Sequence, residues 1–283
     1  MPIHDAYPRR TPLEVAFPEP EDLDRFVRGV EEEAGAREVD AGAPGSFVAL
    51  GVVATRLREA TRAGASGAEV VELGQLLFHV AQTLRADGPL VFVDTAAARR
   101  LVEDRGWRRR AERWSVKVPA RAGYVQLPRH LFWLEGRGAE AAEPIDGFFW
   151  TVAGPDVLHV LVVSGLWEGR EGFRVAALPE APLAEAAAWL SARVREGEED
   201  FATTLPGGDL EGLYSIVRAG EVLKLAARLF HTFDAHPGWF TACAAPVAED
   251  AALRPRDHAD GPHPVRPSPA PTRLAYLRLK GEE

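Results

Sequence analysis

Histidines beside carboxylates are the residues here whose types and spacing could do chemistry. Residues 231–236 read HTFDAH, which places His231, Asp234 and His236 close together. Zinc sites draw on such residues at short spacing. On a continuous helix His231 and Asp234 share a face, whereas His236, at i+5, does not. Pro237 and Gly238 mark a helix end, so two histidines near a C-terminus and its dipole are the simpler reading. No metal is expected. His159 interrupts an apolar strand and shares a face with Val157, Leu161 and Val163. Buried, it needs a hydrogen-bond partner; lining a groove, it could act as acid or base near neutral pH. A satisfied core histidine is the expectation. His130, His159 and His231 are the pocket candidates. Asp146 opens the strand before His159 and reaches it only if the register shifts.

Other chemistries lack their motifs. Cys243 lies in FTACAAPV with no basic neighbour to lower its pKa, which suits an inert thiol. The glycines of 205–209 (LPGGD) are not followed by Lys-Ser/Thr, so they make no P-loop. No G-x-G-x-x-G opens a helix after a strand, and H-E-x-x-H and C-x-x-C are absent. Ser164-Gly165 ends a strand without forming a G-x-S-x-G elbow. No cofactor is expected.

The segment 114–178 holds the strongest structural signal. Its short apolar and aromatic runs, bounded by Gly and Pro, are those of consecutive strands. Arg113–Val118, Tyr124–Leu127, His130–Glu135, Gly147–Val152, Val157–Ser164 and Gly172–Leu178 are the expected strands. Ala153-Gly154-Pro155-Asp156 forms a tight turn between the fourth and fifth. Side chains alternate across a sheet, so Phe148 and Trp150 point one way and Phe149 the other. One face packs on helices. The other is either covered or left as an apolar recognition surface, and Trp133, Phe148 and Trp150 are the candidate protein-binding residues, with Trp150 partly exposed. The order Tyr124-Val-Gln-Leu-Pro128, Phe132-Trp133, Gly147-Phe-Phe-Trp150 and then an apolar helix resembles a group of plasmid and phage proteins related to a type V anti-CRISPR.

Helical patterns flank this block. Leu23, Phe26, Val27 and Val30 make one stripe over 22–34. A second helix is expected over 46–62, and a third begins at a Ser66/Glu69 capping box and ends at Gly88-Pro89. Leu90–Val93 reads as a strand, followed by a helix capped by Thr95. Beyond the sheet, 182–195 is Ala-rich and helical. Leu210, Leu213, Tyr214 and Val217 begin a further stripe, and Gly220 in its middle suggests either a kinked helix or two short ones. The LAYLRL run near the end could add an edge strand.

The predicted fold is therefore a single α+β domain spanning 1–283, a central antiparallel β-meander packed against N-terminal and C-terminal helices. Its parts are an extended arm over 1–20, mainly helical sequence over 21–112, antiparallel sheet over 113–178, helices over 179–240 and a Pro-rich tail over 246–283. Short links favour a meander, since parallel pairing needs a crossover of a dozen or more residues.

Composition bounds the function. The chain has 283 residues and a formal net charge of −9, against non-specific binding to nucleic acid or anionic lipid. Arg108, Arg109, Arg110 and Arg113 sit beside Glu112 and read as a solvated connector. The absence of Asn and the ratio of 30 Arg to 3 Lys reflect a GC-rich genome rather than a function. No apolar stretch of signal-peptide or membrane-spanning length occurs, so a soluble cytoplasmic protein is expected. The leading expectation is a non-enzymatic protein-interaction or regulatory module with another protein as partner. The alternative is a small-molecule enzyme or binder with a pocket between sheet and helices, using a His–carboxylate pair.

Overall fold

The computed structural model describes residues 11–103, 117–128, 132–134, 143–164, 174–177, 181–182, 215–217, 219–242 and 276–279. The fold is α+β, with helices on both faces of a sheet. Proline at the first position of a helix gives up an N–H that has no partner and brings a helix-ready φ. Pro12 and Pro20 accordingly open α1 (Pro12–Ala16) and α2 (Pro20–Arg37). The arm expected over 1–20 thus contains a helical turn over Pro12–Ala16 and the start of α2 at Pro20, while residues 1–10 lie outside the described residues. Leu23, Phe26, Val27 and Val30 of α2 are buried, as their spacing requires.

The single helix expected over 46–62 is two: α3 (Pro44–Val48) and α4 (Gly51–Arg62). Leu50 is extended between them. The Glu33 carboxylate of α2 accepts the first free N–H groups of α4, from Gly51 at 2.6 Å and Val52 at 3.0 Å. A tertiary contact therefore caps this helix. α5 (Gly67–Arg85) begins at the expected capping box: Ser66 Oγ accepts from the Glu69 N–H, and Glu69 accepts from the Ser66 N–H.

β1 (Leu90–Val93) leads into α6 (Thr95–Glu103). The cap is Asp94 rather than Thr95, with Asp94 Oδ1 accepting the Ala97 N–H at 2.7 Å. Then come β2 (Ala122–Gln126), β3 (Phe132–Leu134), β4 (Glu143–Ala153), β5 (Val157–Ser164), β6 (Arg174–Ala177), β7 (Ala181–Pro182) and β8 (Ser215–Val217). α7 (Ala219–Ala235), a 3-10 turn (Pro237–Trp239), β9 (Phe240–Ala242) and β10 (Tyr276–Leu279) complete the described elements. Of the expected strand over 113–118, residues 113–116 lie outside the described residues, and Lys117 and Val118 are irregular. Ser215–Val217 is strand where a helical stripe was read. The Ala-rich segment lies outside the described residues beyond Pro182.

The sheet is mixed, which corrects the meander. Its order is β6-β5-β4-β2-β1-β10-β9. β4, β5 and β6 are successive antiparallel neighbours, as short links dictate. β1 pairs parallel with both β2 and β10. The link from β1 to β2 spans residues 94–121 and contains α6, so it is long enough for a crossover. β10 was read as a possible edge strand. It lies inside the sheet, between β1 and β9.

Alternation builds two cores. On one face Leu90, Phe92, Tyr124, Phe149, Leu161 and Val163 pack under Leu76, Leu77, Val80 and Leu84 of α5 and the buried stripe of α2. On the other, Val91, Val125, Phe148, Trp150, Val160 and Val162 meet Ala97 and Leu101 of α6 and Leu225, Leu229 and Phe230 of α7. Among the described residues, no helix is long and apolar enough to cross a membrane.

The backbone donors from Gly51 and Val52 hold the Glu33 pKa below the usual carboxylate range. A depressed carboxylate stabilises the fold above its unfolded pKa and loses that contribution as pH falls through the folded value. Glu33→Gln should lower the melting temperature at pH 7. The deficit should shrink in acid below about pH 4.5, read by thermal melts of both proteins across pH.

Candidate functional site

Of the three aromatic residues proposed as a binding surface, Phe148 and Trp150 are core. Phe148 and Trp150 are each 0% exposed. The Trp150 indole N–H donates to the Ala120 carbonyl at 3.0 Å, and its ring meets Phe230 edge-on at 5.5 Å. A Cβ on Gly123, opposite in β2, would collide with that ring. Aromatics on both faces of β4 signal a strand covered twice, by α5 and by α7, and the expected exposure of Trp150 is overturned. Trp133 lies in β3, a short strand opposite Pro144 of β4 and Ile216 of β8. Among the described residues, the large hydrophobic side chains that are exposed are Val48 and Val71.

The sheet keeps the histidine candidates apart. His159 stands on the α5 face, half-buried, paired in register with Thr151. His231 is on α7, across the sheet. Asp146 lies at a register shift in β4, five residues and roughly 16 Å along the strand from the Thr151–His159 row. The Asp146–His159 approach therefore does not form, and His130 lies outside the described residues. Asp234 bonds Lys117 at 3.1 Å and His236 stacks on Trp239 at 3.9 Å. The described residues contain no group of three potential metal ligands.

A histidine not singled out by sequence lies deeper. His79 of α5 is buried, with Nδ1 and Thr151 Oγ1 hydrogen-bonded at 2.8 Å, and Phe78 stands edge-on to both His79 and His159. Burial first, and the neighbouring His159 second, push its pKa down to about 3. Nothing marks it in the sequence, because it sits in an otherwise apolar helical run. Further along the same face, the Tyr124 hydroxyl donates to Gln126 Oε1 at 3.0 Å and Gln126 donates to the Asp146 carbonyl at 2.6 Å. Burial and the Asp146 charge raise the Tyr124 pKa well above its ordinary value. These polar groups are closed off from solvent and bonded to one another.

Partly open aromatic groups gather at the far corner of the sheet, where α7 ends. The Arg100 guanidinium of α6 lies 3.7 Å over the Trp239 ring, and the exposed His236 stacks on the same indole. Phe233 stacks on Phe240 at 3.5 Å, both half-buried. β9 follows directly and ends the strand order. Backbone parity orients it. The Leu279 carbonyl turns to β1, accepting from the Asp94 N–H at 3.2 Å. Adjacent residues of a strand face opposite ways, so Arg278 turns to β9 and meets Thr241. Phe240 and Ala242 therefore direct their C=O groups, and Ala242 its N–H, away from β10, while the Phe240 N–H donates to the Pro237 carbonyl. Among the described residues, no strand pairs with β9 on that side.

No family model and no curated protein matches the sequence. A solved structure titled "Crystal structure of AcrVA2" superposes with a TM-score of 0.43 and 11% identity, covering 94% of this chain and 81% of that one. A likeness at that level carries no function across.

Two measurements check this account. Trp150→Ala should cost about 3–5 kcal/mol of unfolding free energy through lost burial and a cavity, read by denaturant melts. His79 stays neutral when folded but takes a proton when unfolded, so its contribution is fully present above about pH 6.5 and is lost as pH falls toward 3. His79→Gln should flatten the acid slope of stability by up to ~1.4 kcal/mol per pH unit in that window.

Proposed function

We propose that this chain is a non-enzymatic protein-interaction module whose contact surface is the corner formed by β9, Trp239 and His236. The observation that supports it is the outward orientation of the Phe240 carbonyl and the Ala242 amide beside the Trp239 ring, half-buried under Arg100 and stacked on the exposed His236. An extended chain added to a sheet edge gains affinity from main-chain hydrogen bonds and selectivity from the side chains that alternate along it. Trp and Arg are the side chains that most often dominate interfaces. An acidic chain favours a protein over nucleic acid or anionic lipid as partner. The enzyme alternative gains no support from the described residues, since His159 and His231 lie on opposite faces of the sheet.

Random linear peptides displayed against the immobilised chain test the proposal. Peptides should be enriched, and Ala242→Pro, which removes an outward N–H while leaving the β10 pairing intact, should weaken their capture by about tenfold or more. No enrichment, or capture unchanged by Ala242→Pro at an unchanged melting temperature, overturns it.

A further inference from the structure

We propose that helices α1–α5 form a proton-released cover, which lifts off the sheet as a unit when His79 takes up a proton. The inference is independent of the contact surface at β9. Residues 12–85 carry all five helices in one run of chain, and their apolar side chains share one core with the α5 face of the sheet. The opposite face belongs to a separate core built with α6 and α7. One short piece of chain joins the cover to the sheet. Asp87 turns it with a φ of 45°, and Gly88 packs so closely that a Cβ would collide with the Ala122 carbonyl. Pro89 is already anchored, its carbonyl accepting the Tyr124 N–H at 3.1 Å. Contiguous segments of this kind open as cooperative units.

His79 is a polar tie in this apolar interface. Its Nδ1 and Thr151 Oγ1 of β4 are hydrogen-bonded at 2.8 Å, and the Phe149 ring of β4 lies 5.9 Å away. From β5 it faces His159, and Tyr124 of β2 holds its hydroxyl to Gln126. The charged groups of the cover are engaged elsewhere. Glu14 of α1 accepts from Thr11, Glu33 of α2 from Gly51 and Val52, and Arg56 of α4 lies over Phe17. Glu31 of α2 lies 3.9 Å from Arg85 at the last turn of α5, and from α3 the Phe47 ring meets Phe78. Burial first and His159 second act on the His79 imidazole, both against its charged form. A proton there would sit among apolar groups, facing a hydroxyl and a second imidazole, which is costly.

Opening removes that conflict. With the cover lifted, His79 meets water and binds a proton with the ordinary affinity of an imidazole, so acid favours the open state. Below about pH 6.5 each unit of pH raises the open population about tenfold, until the folded value of about 3 is reached. Two further groups act in the same direction in stronger acid. The Glu33 and Glu69 carboxylates cap α4 and α5 inside the cover, and the N–H groups they accept hold both below the usual carboxylate range. Protonating them weakens the cover's own helices. Lifting it bares Tyr124, Phe149, Leu161 and Val163, an apolar sheet face.

Native-state hydrogen exchange on the full chain, read amide by amide from about pH 7.5 down to about pH 5 and corrected for intrinsic rates, tests the proposal. Amides of Leu76–Leu84 in α5 should open about tenfold more often per pH unit below about 6.5. Those of Leu225–Phe230 in α7 should not share that rise. His79→Gln should abolish the α5 slope. Should that variant fail to fold, Thr151→Val removes the hydroxyl tie and should raise α5 opening about tenfold near neutral pH, with the slope kept. A slope that persists in His79→Gln overturns the inference, as does α5 opening that is indifferent to pH or to Thr151→Val. An equal rise in α5 and α7 overturns it too, since the chain would then unfold as one body.

Discussion

Burial of β4 on both faces is the constraint on which the rest of the structure depends. From Ile145 to Ala153 every side chain of that strand is enclosed. Phe148, Trp150 and Val152 face one core, and Phe149 faces the other. A strand of this kind has no wet side, so it requires a helical layer above and below. α5 supplies one and α7 the other. The Trp150 ring then reaches across to β2, where glycine leaves the space it needs, and its N–H finds the Ala120 carbonyl. Sheet, α7 and the chain leading into β2 are tied together at that one indole.

The enclosure decides where polar groups can act. On the α5 face, His79, Thr151, Tyr124 and Gln126 are buried, and each has its hydrogen-bond partner inside the protein. Groups satisfied in this way fix packing and specify a single arrangement of the core, but they offer nothing to a solute. Stacked rings that retain some contact with solvent occur where the helices run out, around Trp239. The bonded polar groups of the interior and the stacked rings of the rim are therefore separate.

Local signals in the sequence proved reliable where the deciding forces are local. The Ser66/Glu69 capping box, the Leu23–Val30 stripe and the Phe148–Val163 hairpin rest on contacts within a few residues, and each lies where its pattern put it. Pairing between distant segments was not legible. Nothing near Leu90 announces that Tyr276 will lie beside it in parallel, and the break between α3 and α4 depends on Glu33, a side chain from another helix. Exposure was misread for a similar reason. Alternating aromatics on β4 fit one free face or two covered ones, and the choice is made by α7, whose stripe carries no mark of its destination. Trp239 escaped notice because its neighbours Arg100 and His236 come together only through the meeting of α6 with the end of α7.

The placement of β10 has a consequence for how the chain reaches its native state. This strand lies between β1 and β9, joining residues 90–93 to 240–242 through parallel and antiparallel ladders. The sheet cannot be completed across that gap until residue 279 has been synthesised and released from the ribosome, although the strands from β2 to β6 are by then long available. Closing so large a loop carries an entropic cost that later contacts must offset, and high contact order of this kind slows folding. During that interval the free side of β1 would present unpaired amides beside Phe92 and Val93, an edge open to mispairing with other chains. A nascent form of this protein would therefore carry an open pairing edge at β1, a hazard the finished sheet conceals.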